Sequence, residues 1–107
     1  MAKLTPNVMA RVRLYTSEEG GRSQPIPAIQ FSCPLFFQGE GFDCRLLLDQ
    51  PGIGLLLGES AVVPIKFLFP EDIMPRLKKG DQFRLWEGKE IAKGEVLEII
   101  STPGSNV

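Results

Sequence analysis

Few residues in this chain are of types that carry out catalysis. It has no histidine, so neither a Ser-His-Asp nor a Cys-His arrangement can be assembled. Cys33 and Cys44 are too few to build a structural zinc site, which needs further Cys or His ligands. Two carboxylate pairs, Glu18-Glu19 and Glu71-Asp72, fall in polar stretches that read as loops, where acidic residues are ordinarily solvated. No carboxylate is placed in an apolar run, as acid–base work on a glycosidic bond would require. Gly20-Gly21-Arg22 lacks the following Lys-Ser/Thr of a phosphate-binding loop, and no GxGxxG follows a strand. These absences predict no nucleotide, no metal and no cofactor. They disfavour an enzyme, which is the weakest of three readings.

What remains is chemistry of recognition. Arg84 and Trp86 alternate along one apolar-polar run, and Arg11, Arg13 and Tyr15 alternate along another. An aromatic beside arginines stacks nucleobases or anchors a protein interface. The plain alternative is a solvated strand face with one covering aromatic. Leu35-Phe36-Phe37 and Leu55-Leu56-Leu57 are apolar where alternation would place polar residues. They are core, or they are surface that a partner covers.

The elements that must hold these residues are short. The chain of 107 residues is 43% hydrophobic and 23% charged, which suits one domain around one core. Eleven glycines and nine prolines punctuate it, and no long helical period runs between them. Val8 to Tyr15 shows the clearest alternation, with Val8, Ala10, Val12 and Leu14 on one face. A glycine-bearing loop from Ser17 to Arg22 follows. Gln24 to Pro34, with three prolines, reads mostly as an extended connection. Leu35 to Gln38 and Phe42 to Leu48 read as strands, with a turn at Asp49 to Gly52. Ala61 to Phe69 is a strand with Val63, Ile65, Phe67 and Phe69 on one face, and Pro64 marks an edge or irregularity. Gln82 to Trp86 and Glu90 to Ile100 form a terminal hairpin around Glu87-Gly88-Lys89. Glu95 and Glu98 both face solvent only if a bulge lies between them.

The connections are too short for crossover helices, so the fold class is all-β: a small closed antiparallel barrel of about six strands. The expected core includes Val8, Val12, Leu14, Val63, Ile65, Phe67, Phe83 and Leu85. A single domain spans 1–107, with its core over about 8–100 and a frayed tail from Ser101. No export signal or membrane-length apolar run is present, which predicts a cytoplasmic protein with free thiols and no membrane contact. Twelve Lys and Arg against thirteen Asp and Glu give a net charge of −1, so no global charge draws the chain onto RNA.

Three segments together resemble the C-terminal, third domain of elongation factor Tu. VMARVRLYTSEEGGRSQPI is similar to that domain's opening strand and loop, through Glu18, Glu19, Gly20, Gly21, Arg22 and Pro25. LLLGESAVVPIKFLFPEDI is similar to its apolar turn and long strand. KKGDQFRLWEGKEIAKGEVLEII is similar to its closing hairpin, through Gly80, Phe83, Glu87, Gly88 and Gly94. The resemblance covers roughly residues 8 to 100. Ser23-Gln24 stand where the family has His-Thr, and Phe31 to Pro34 replace its Tyr-Arg-Pro-Gln. The family's GTPase and second domains have no counterpart in these 107 residues.

The resemblance implies a stand-alone β-barrel that binds a partner rather than a catalyst. Its candidate contact residues are Arg22, Ser23, Arg84, Trp86, Glu87 and Gly88. The partner is a protein or a second copy of the chain, and a tRNA-like RNA is the alternative. Arg22 is also readable as a brace for its own loop, against Glu18 or Glu19. Glu87 and Gly88 are also readable as an ordinary hairpin turn.

Overall fold

The computed structural model describes residues 4–100. The tail expected to fray from Ser101 lies outside the described residues. Six strands form a closed barrel: β1 (Val8–Leu14), β2 (Gln30–Phe37), β3 (Glu40–Leu47), β4 (Ser60–Phe67), β5 (Gln82–Trp86) and β6 (Glu90–Ile99). Their order around the barrel is β1-β4-β3-β2-β5-β6, and every pairing is antiparallel. The all-β barrel expected from the alternation is therefore the observed fold.

Alternation decides which face turns inward. Val8, Ala10, Val12 and Leu14 of β1 are all fully buried, while Arg11 on the same strand is exposed. All eight expected core residues are buried. Each fully buried Val, Leu, Ile or Phe is worth roughly 1.5–3 kcal/mol against exposure, so this inward row is the main source of stability. Two plugs complete the core. Ile26 and Leu55 pair as an isolated antiparallel bridge, with N–H···O distances of 2.9 and 2.8 Å. Leu55 lies just before β4 begins. Just after β4 ends, two 3₁₀ turns (Pro70–Asp72 and Met74–Arg76) contribute buried Ile73, Met74 and Leu77. The two plugs thus close opposite ends of the barrel.

Turn chemistry sets the hairpins. Gln38 and Gly39 both have positive φ, at 53° and 79°, and join β2 to β3 in a two-residue turn. That mirror-image turn matches the twist of the flanking strands. In β6, Met9 of β1 pairs with Glu98 and Ala10 with Val96, so Leu97 is the extra residue. This is the bulge expected between Glu95 and Glu98.

Two expectations need correction. β2 begins at Gln30 and runs through Pro34, where an extended connection was expected. Its ladder to β5 stops at Leu35, one residue short of Pro34, so no N–H is called for there. Pro64 of β4 repeats the device: the ladder to β3 stops at Ile65. Phe69 is not on the buried face of β4. The strand ends at Phe67, the chain turns, and Phe69 is 55% exposed. The apolar triplets divide by alternation. Leu35, Phe37 and Leu55 are core, Phe36 is half-buried on the outer wall, and Leu56 is 54% exposed.

Candidate partner-binding face

The candidate residues come from two segments far apart in sequence. Arg22 and Ser23 follow the loop after β1, and Arg84 to Gly88 span the end of β5 and its turn. Barrel closure brings the segments together. The Arg22 guanidinium donates to Glu87 Oε1 at 2.5 Å, across 65 positions of chain. Its Nε donates to the Gln24 carbonyl at 3.0 Å, and its Cζ lies 5.4 Å from the centre of the Phe31 ring. Arg22 is thus a brace, but not for its own loop. Arg13 holds that loop instead, with Glu19 at 3.1 Å, and Glu19 also accepts from the Thr16 backbone N–H at 2.9 Å. These contacts, the Thr16 N–H first, hold the Glu19 carboxyl below its ordinary value.

Glycine permits the loop geometry at two points. Gly20 has φ of +92°, which L side chains rarely adopt. Gly21 is buried against Tyr15, and a Cβ there would sit 2.7 Å from the Tyr15 carbonyl oxygen. Ser23 is exposed beside Arg22. Gly88 has φ of +73° and forms the exposed tip of the β5–β6 turn.

Arg84 and Trp86 face outward from β5, as alternation predicts. The Trp86 ring lies against Phe36 of β2, with centroids 5.1 Å apart and planes tilted by 46°. Both rings are half-buried, so they present apolar area to solvent at the end of the barrel that carries Glu87. Arg84 is exposed and donates to Glu90 Oε2 at 2.7 Å. The same oxygen accepts from the Tyr15 hydroxyl at 2.5 Å. Burial, then the contact with Glu90, raises the Tyr15 phenol above its ordinary value. The donated hydrogen bonds, Tyr15 first and Arg84 second, hold Glu90 below its own. Sequence spacing did not reveal Tyr15, Phe36 and Glu90 as neighbours of the candidate set, because Tyr15 follows β1 while Phe36 and Glu90 lie on β2 and β6.

The face therefore combines an aromatic pair, three neutralised ion pairs and a tight turn. Among the described residues no cluster of three or more Cys, Asp or Glu could hold a metal ion. Cys33 and Cys44, register partners on β2 and β3, are free and buried. The hydrogen bond to Cys33, with burial, pushes the Cys44 thiol well up, away from a reactive thiolate. Among the described residues no helix is long and apolar enough to cross a membrane. The chain matches no protein-family model and no curated protein sequence.

Proposed function

We propose that this barrel is a non-catalytic binding module, and that it engages another protein chain through the face formed by Phe36, Trp86, Arg22, Glu87 and Arg84. The observation that carries this reading is the half-buried Phe36–Trp86 pair, set beside the Arg22–Glu87 ion pair at one end of the barrel. Trp and Arg are enriched among the residues that dominate protein interfaces, where an apolar centre is bordered by polar contacts. An RNA ligand fits this end less well. Arg22 is already held by Glu87, so it offers little uncompensated charge to phosphates.

The resemblance to the third domain of elongation factor Tu belongs to the same proposal. It rests on the opening loop and closing hairpin that meet at Arg22 and Glu87. Two free, buried thiols accord with a reducing, cytoplasmic setting. A photo-crosslinking residue in place of Trp86 tests the proposal in cells. A discrete adduct, with another protein or with a second copy, is expected at position 86 and not on the opposite end of the barrel. Light scattering at micromolar concentration separates the second-copy case from the first.

A further inference from the structure

On the outer wall of β5, β6 and β1 the registers place Arg84 opposite Lys93, and Lys93 opposite Arg13. Three cations thus stand in one row across three adjacent strands. Side chains directly opposed on antiparallel strands have Cβ atoms ~4.5–5.5 Å apart, and like charges there are destabilising. Carboxylates relieve the flanks of the row. Arg13 meets Glu19 at 3.1 Å and Arg84 meets Glu90 at 2.7 Å. Arg11, one row along, meets Glu95 only at 3.9 Å. Lys93, in the centre, is exposed and has no carboxylate of the described residues at ion-pair distance.

The row borders a depression of about 320 Å³, lined by Arg11, Arg13, Arg84 and Lys93 with Ser60 and Glu95 among the other walls. Four cations face one carboxylate inside it. Ser60 is the register partner of Arg13 and brings a hydroxyl donor to the end of the row. A lone lysine between two arginines gains nothing for the fold; it suits a doubly charged anion held between an ammonium point charge and two guanidinium forks. We propose that this depression binds a phosphate group, with Lys93 at its centre and Arg13 and Arg84 on either side. This site shares Arg84 with the aromatic face but does not depend on that face binding a protein.

The test is amide chemical-shift mapping of the whole chain at fixed, low ionic strength, titrated with inorganic phosphate and separately with a single-stranded oligoribonucleotide. Saturable shifts centred on Arg13, Ser60, Arg84 and Lys93 are expected. Lys93→Gln should weaken binding by roughly fivefold or more through the lost charge. In phosphate-free buffer the same substitution should raise Tm, because it relieves the row. Tighter binding of the oligonucleotide assigns the phosphate to a polynucleotide backbone. Binding of phosphate without the oligonucleotide assigns it to a small ligand. Shifts no larger than those from equal chloride, or shifts unchanged by Lys93→Gln, would overturn the site.

Discussion

Arg22 and Glu87 form an ion pair that ties the loop after β1 to the turn between β5 and β6, the two segments on which a partner-binding function was expected. The Arg22 side chain is only 20% exposed, because it also lies over Phe31 and bonds the Gln24 carbonyl. The pair orders the face more than it stabilises the fold. Partly exposed pairs contribute ~0.2–1 kcal/mol in double-mutant cycles, and a cycle of Arg22→Ala and Glu87→Ala should return a coupling of that size. A coupling near zero by urea denaturation would mean that the two segments are not held together in solution.

The Tyr15–Glu90–Arg84 cluster predicts a pH dependence with two limits. Glu90 is held below its ordinary 4.5, so its stabilisation is present above that value and is lost as pH falls through its folded pKa. Tyr15 is raised above 10.0, so its stabilisation is present below that value and is lost as pH rises through its folded pKa. Tyr15→Phe removes the shared hydrogen bond and should flatten the stability profile at both limits. Thermal unfolding across the range from about pH 3 to about pH 11 checks this. Superimposable profiles of the two proteins would refute the assignment.

Gly94 is an interior requirement of the barrel, not a turn. It pairs with Phe83 on β5 and Val12 on β1, and the Phe83 ring fills the space its side chain would occupy. A Cβ there would run into Phe83 Cζ and Cε1 and would lie 3.0 Å from the Arg11 carbonyl oxygen. Gly94→Ala should therefore destabilise by about 1–3 kcal/mol, the usual cost of overpacking. Phe83→Leu in the same chain should recover part of the loss. An unchanged denaturation midpoint for Gly94→Ala would show that the ring does not pack where the structure puts it.

Much of the barrel is legible residue by residue. The period of two in Val8 to Leu14 survives because β1 has one wet and one dry face. The bulge at Leu97 was readable because Glu95 and Glu98 break that period by one residue. The start of β2 was not readable, since prolines argue against a strand unless one knows where the neighbouring ladder stops. Pro34 and Pro64 each lie one residue beyond such a stop. Arg22, Trp86 and Glu87 stand out by residue type and resemblance, but the pairing of Arg22 with Glu87 and of Trp86 with Phe36 does not. The contacts of Arg22 with Glu87, and of Trp86 with Phe36, span 65 and 50 positions and exist only once β5 has docked on β2 and β6. Local spacing carries no record of that closure.

Contact between the Trp86 end of the barrel and another protein chain is the proposed role of this domain. Its most direct test is site-specific photo-crosslinking in cells, with the probe at Trp86 and, as control, at Glu98. Trp86 pairs with Glu90 at the start of β6, so Glu98, eight residues further on, lies roughly 25 Å away along the strand at ~3.3 Å per residue. A single strong adduct from position 86, little or none from position 98, and loss of the adduct when Arg22→Ala is added are expected. Equal adducts from both positions, or none from position 86, would contradict it.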